Sequence, residues 1–409
     1  MTATRSTRLS ATDAFFVAYQ ESSGVLMQLG AEVDLKGRIT RSDVEQMLDH
    51  IVRRWPPLGQ RLRRNFFGLS WDGECRTSEM LNTAAGLSEW RNRPIDPFAE
   101  PPFQLLWIAR GDNNVLAFRA HHAVVDGEGF FAVCGEALRT LVHLGTTDFI
   151  DDHRTSRKIS VTQAFRNLQQ LRRTKPGARI AMRSCSPGET SVVERDVSGV
   201  ANGWLCASAW TRAIHAWNNS RGNAPTSLIS IEVPVSLRRQ RERGGVRIGN
   251  WISPITVTAD ASQTLEVLAT DLKKQMRGAM RQRMHLALPK LSAPARFVPW
   301  RLFRKLAASP ELTGYATSHF AWFEQSRAIH DDVFRGSNGA LQMVDQQIYT
   351  PVCLHMGAAM AVLAWPDRTQ MFITHRLTAL TTDDANTLAD LVVEELDQKY
   401  LKKRQQVEI

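Results

Sequence analysis

What the chain lacks narrows its role first. Its five cysteines, Cys75, Cys134, Cys185, Cys206 and Cys353, are odd in number, scattered, and never form CxxC. Neither a disulfide scaffold nor a zinc site is expected, and a reducing cytoplasm fits best. The first residues run into Leu9-Ser10-Ala11-Thr12-Asp13 with no apolar stretch of signal-peptide length. The longest apolar stretch, Met356 to Trp365, is too short to span a bilayer. There is no GxSxG nucleophile elbow and no P-loop, and no cysteine sits in a recognisable catalytic setting. Homeodomain, zinc-finger and RNA-recognition signatures are missing as well, so nucleic acid is not expected as a partner. No short-period repeat is visible.

What is present fits an ordinary globular protein. Hydrophobic residues make up 43% of the chain and charged residues 22%. At 409 residues it exceeds the roughly 250–300 at which a single core stops growing, so two lobes are expected. The first lobe is read as 1–160 and the second as 191–409. Between them, 161–190 is read as a crossover linker holding the breakers Lys175-Pro176-Gly177 and Ser186-Pro187-Gly188. The net charge of +10 favours anionic partners, among them CoA phosphates, an acidic carrier protein or a membrane surface.

Within the first lobe, Ser42-x-x-Glu45 reads as a capping box, followed by an apolar stripe of Val44, Met47, Leu48, Ile51, Val52 and Trp55. Phe103 to Ala109 and Asn114 to His122 read as a hairpin joined at Gly111-Asp112-Asn113. In the second lobe, strands are expected at 227–235, 252–257, 341–354, 360–365 and 370–375. Helices are expected at 262–288 and 382–402.

The stretch that organises the chain is His121-His122-Ala123-Val124-Val125-Asp126-Gly127, an HHxxxDG pattern at a strand end. Alternation sends the two histidines to opposite faces, with His122 on the Leu116, Phe118 and Ala120 side. Gly127 is read as permitting a tight turn. A helical pattern follows, through Phe130, Phe131, Cys134, Ala137, Leu138 and Leu141. A histidine fixed between strand, turn and helix suits proton transfer, because neutral imidazole is the base available near pH 7. The same glycines make a GxGxxA pattern, Gly127 to Ala132, with Asp148 downstream. A dinucleotide fold would need a hydrophobic strand after that helix, and 145–152 is polar.

HHAVVDG resembles the active-site motif of the acyltransferase superfamily that includes chloramphenicol acetyltransferase and nonribosomal peptide condensation domains. Polyketide-associated acyltransferases, plant BAHD acyltransferases and wax ester synthase/diacylglycerol acyltransferases also belong to it. Leu9-Ser10-Ala11-Thr12-Asp13-Ala14-Phe15-Phe16 resembles the family's opening, and Ile51 to Leu58 the end of its first helix. Val233-Pro234-Val235-Ser236-Leu237-Arg238 and Gly249-Asn250-Trp251 resemble blocks of its second lobe. The latter stands where plant members carry DFGWG, departs from it, and looks closer to the Gly-Asn element of wax ester synthases.

The resemblance implies an α/β, two-lobed chloramphenicol acetyltransferase-like fold, with mixed sheets, flanking helices and a central channel. It implies His122 as general base, with His121, Asp126, Gly127 and Arg238 supporting the site. Asp126 would pair with Arg238 rather than join a triad. Asn250, Asn202 and Ser318 are weaker substrate-contact candidates; the other readings are scaffold for Asn250, a helix cap for Asn202 and a loop residue for Ser318.

The expected reaction moves an acyl group from acyl-CoA or an acyl or peptidyl carrier protein to a small-molecule hydroxyl, giving an ester. No cofactor or metal is expected, the thioester itself being the substrate. Amide formation by a free-standing condensation enzyme and a catalytically silent carrier-binding module remain alternatives. Arg238 to Arg243 reads either as a solvated loop or as a clamp for CoA or phosphopantetheine phosphates. Phe297 to Lys305 reads either as a packed helix or as a peripheral membrane contact.

Overall fold

The computed structural model describes residues 7–65, 68–73, 77–83, 86–142, 159–173, 177–199, 201–223, 226–238, 248–309, 318–323 and 341–407. A five-stranded mixed sheet carries the HHxxxDG motif. Its order is β12 (Gln342–Tyr349), β2 (Gln28–Lys36), β7 (Asn113–His121), β6 (Phe103–Arg110) and β5 (Leu81–Asn82). β6 and β7 form the antiparallel hairpin read from the sequence, with Gly111 at a φ of 68° in the turn. β7 is buried on both faces, so its alternation separates two cores rather than core from water. Leu116, Phe118 and Ala120 join the main core. Ala117 packs with Trp90, and Arg119 lies over the Trp90 ring at 3.8 Å.

One flank of this sheet is covered by α2 (Arg41–Arg54) and α5 (Gly127–Leu141). The stripe Val44, Met47, Leu48 and Ile51 of α2 is buried as its spacing demands. Its cap differs from the expected one. The helix starts at Arg41, so Thr40 is the cap and Asp43 closes the box, two residues before Ser42 and Glu45. The short helices α3 (Thr77–Met80) and α4 (Leu87–Asn92) lie on the β5–β6 side and seat Met80 and Trp90. α1 (Ala11–Ser23) opens on a Ser10–Asp13 capping box.

The second sheet has six strands. Their order is β10 (Ile252–Asp260), β9 (Leu228–Ser236), β11 (Ser318–Phe323), β13 (Ala358–Ala364), β14 (Arg368–Arg376) and β8 (Thr190–Ser198). β11 runs parallel to β9 and β13; the other neighbours are antiparallel. The helices α7 (Gly203–Ser220), α8 (Leu265–Arg281) and α11 (Thr382–Val407) cover one face. Met360 and Val362 of β13 point into that core, whereas Ala361 and Leu363 point into the core of the first sheet. The second sheet is therefore shared: one face belongs to its own helices and the other to the seam between lobes. A small antiparallel sheet of β1 (Thr7–Arg8), β4 (Gly68–Asp72) and β3 (Arg61–Asn65) completes the strands.

Two features of the fold bear on the division 1–160, 161–190, 191–409. β12 lies late in the chain yet pairs with β2 of the first sheet, Tyr349 opposite Gly30. A Cβ on Gly30 would sit 1.8 Å from the Tyr349 ring, so the glycine is what admits this crossing strand. The segment read as a linker contains α6 (Val161–Arg173), which packs on α9 (Ala287–Ser292). There Asn167 Nδ2 donates to the carbonyls of Gln282 and Arg283 at 3.1 and 3.3 Å. α10 (Trp300–Ala307) follows, with Phe303 and Ala307 packed on Ala18 of α1 and basic side chains outward. Among the described residues no helix is long and apolar enough to cross a membrane. Asp148 and Arg239 to Arg243 lie outside the described residues.

Candidate active site

The motif sits where β7 ends. The His122 amide donates to the Met27 carbonyl at 2.7 Å, and the Val124 amide to the His121 carbonyl at 3.0 Å, closing the turn. His121 is fully buried, and its Nδ1 accepts the Ala123 amide at 3.0 Å. Burial, then the neighbouring His122, pushes its pKa down to about 3, so this ring is neutral and holds the turn.

His122 is 7% exposed. The ring of Phe16 lies flat against its imidazole, centroids 3.9 Å apart and planes within 8°. Nδ1 is enclosed and has no well-aligned partner, as is Oδ1 of Asn250. The ring's own main-chain carbonyl, then Asp126, then the Asn250 side chain favour a proton on the ring. Burial is the larger influence and holds the pKa below the ordinary 6.5. At neutral pH the ring is an unprotonated base.

Asp126 caps α5 through Oδ1, which accepts the Gly129 amide at 2.9 Å. Its Oδ2 accepts from Arg238 Nη1 at 2.8 Å and from the Trp251 amide at 2.7 Å. Both Asp126 oxygens are thus committed to the scaffold. A Cβ at Gly129 would lie 2.7 Å from Val125 and 3.2 Å from Arg238, so that position has no room for a side chain. Gly127 corrects the sequence reading: it is the first helical residue, and its φ is not left-handed. Its small size matters instead, because a Cβ there would meet the Phe323 ring at 3.1 Å.

Asn250 ties the lobes together. Its Nδ2 donates to the His122 carbonyl at 2.6 Å and to Asp13 Oδ1 at 2.8 Å, and its amide donates to the same oxygen at 3.0 Å. Next to it, Gly249 bridges to Val125. Asn202 stands apart as the cap of α7, its Oδ1 accepting the Trp204 and Leu205 amides at 3.0 Å each. Ser318 is not in a loop. It begins β11, buried, with its hydroxyl 3.5 Å from the Met356 carbonyl.

Sequence reading missed Phe16 and Asp13 as site residues, although both stand in the quoted Leu9 to Phe16 block. It also missed His319, whose Nδ1 lies 3.2 Å from Glu232 Oε1 and which has a small electrostatic influence on His122. No local pattern marks that pair, because β9 and β11 are far apart in sequence. Among the described residues no three histidine, cysteine or acidic side chains gather as a metal site would require.

No protein-family model matches the chain, and no curated protein matches it in sequence. Solved structures do match. A mutant starter condensation domain of rhizomide synthetase, in complex with C8-CoA and Leu-SNAC, is similar at a TM-score of 0.67 and 12% identity. The match covers 96% of this chain and 94% of that one. The X-domain from teicoplanin biosynthesis matches at 0.59 and 15% identity, over 97% and 96% of the two chains. The epimerization domain from the third module of tyrocidine synthetase B matches at 0.61 and 13%, over 96% and 95%. The chain therefore has the two-lobed chloramphenicol acetyltransferase-like fold that condensation domains share, along its whole described length.

Proposed function

We propose that this protein is an acyltransferase that moves an acyl group from an acyl thioester to a hydroxyl, forming an ester. The observation that carries it is His122 itself: buried, its pKa held below the ordinary value, and stacked flat on Phe16 at the seam between lobes. Nε2 takes the hydroxyl proton as the oxygen bonds to the thioester carbonyl carbon. The tetrahedral intermediate then collapses, the C–S bond breaks, and the sulfur leaves with the proton from the imidazolium. Base catalysis of this kind contributes ~10²–10⁴-fold. No covalent acyl-enzyme is needed when both substrates meet at one base.

A similar fold holds C8-CoA in the rhizomide synthetase domain, which supports an acyl-CoA donor here; an acyl carrier protein is the other donor of the same chemistry. Leu-SNAC in that complex favours a second reading, amide formation on an amine acceptor. Octanoyl-CoA offered with an equimolar mixture of an alcohol and an amine separates the two, with products weighed by mass spectrometry. The ester as major product is expected; amide alone would replace the first reading by the second.

A further inference from the structure

Among the described residues Glu232 has no arginine or lysine partner. Three other buried acids hold arginines: Asp126 with Arg238, Glu136 with Arg54, Glu32 with Arg91. Glu232 is only 15% exposed, and among the described residues its one ionic contact is His319. The register makes Glu232 and His319 direct neighbours on β9 and β11, on one face. That face is the seam. Ile229 and Ile231 point away into the second core, as does Phe320. Phe323, two strand repeats beyond His319, touches Phe131 at 4.6 Å between centroids and approaches Gly127. The pair therefore looks across the seam at the start of α5, and His319 acts electrostatically on His122.

A desolvated carboxylate costs free energy unless a cation or several donors meet it. We propose that the Glu232–His319 pair binds a cationic group of the acceptor and that the acceptor is an amino alcohol. Its ammonium lies against Glu232 while its hydroxyl faces Nε2 of His122. His319 positions the carboxylate. An acceptor bearing a carboxylate is repelled at the same place. Calling this ligand the acceptor rests on the acyl-transfer reading above; the binding test needs no turnover, so missing acyl transfer in the wild type would sink that reading alone.

The test follows the imidazole resonances of histidine-labelled protein, assigned with His319→Gln, during titration with 3-amino-1-propanol, 1-propanol and 3-hydroxypropanoate. The amino alcohol alone is expected to move the His319 signal saturably. Binding should weaken by about 10-fold or more in Glu232→Gln, about 1.4 kcal/mol, and partly recover in Glu232→Asp. A His319 signal unmoved by the amino alcohol, or moved equally by 1-propanol, would overturn the proposal. So would unchanged affinity in a folded Glu232→Gln protein.

Discussion

Phe16 lies on His122 like a lid, the two rings parallel to within 8° and 3.9 Å apart. One comes from the first helix of the chain and the other from a strand end more than a hundred residues later. The stack fixes the imidazole plane and keeps one ring face from water. An aromatic pair is worth ~0.5–1.5 kcal/mol beyond its buried area. Phe16→Ala is therefore expected to keep the fold and lose up to about 10-fold in kcat/KM. The acid limb of its pH profile should move toward 6.5, because the ring regains solvent. Circular dichroism and a pH–rate profile check both points.

The acid limb itself is a prediction for the wild type. Burial lowers the His122 pKa, and a base works in its unprotonated form. Activity should hold as pH falls through 6.5 and decline only below it. A kcat/KM profile with its acid midpoint at or above 6.5 would contradict the electrostatics described here.

Asp126 accepts three hydrogen bonds, all from the scaffold around it. Removing one partner of a buried ion pair costs ~3–5 kcal/mol, so Asp126→Ala should lose folded protein first. Asp126→Asn keeps an oxygen for the helix cap and should be milder in a denaturant titration. A fully folded but wholly inactive Asp126→Asn enzyme would move Asp126 into the chemistry.

His121 makes stability depend on pH. Its folded pKa of about 3 lies below its ordinary 6.5, so the unfolded chain binds the extra proton. Stability is complete above pH 6.5 and falls as pH drops toward 3, at up to ~1.4 kcal/mol per unit from this group. Urea titrations at pH 7 and pH 5 should show a smaller loss in His121→Gln than in the wild type, once their pH 7 values are set equal.

Much of the fold was legible, for identifiable reasons. The α2 stripe, the β6–β7 hairpin and the terminal helix have strong local periods. β12 was recognisable as a strand, but its place beside β2 was not, since only Tyr349 crossing Gly30 reveals it. The capping box was misplaced by two residues because Thr40–Asp43 and Ser42–Glu45 fit one pattern. At the site, HHxxxDG singled out His122 as a strand-end histidine. The side chains that stack on that ring or act on it electrostatically come from distant segments, at Phe16, Asn250 and His319, and no spacing rule reaches across such separations. Asn250 was read either as a weak substrate contact or as scaffold; its Nδ2 is spent on Asp13 and the His122 carbonyl.

The central claim is that His122 removes the acceptor's proton. A free-thiol assay tests it most directly, using acyl-CoAs of increasing length with an alcohol, and with water alone, on wild type and His122→Ala. CoA release that requires the alcohol and falls by at least ~10²-fold in the folded mutant is the predicted result. Alcohol-dependent release that persists in folded His122→Ala would contradict it.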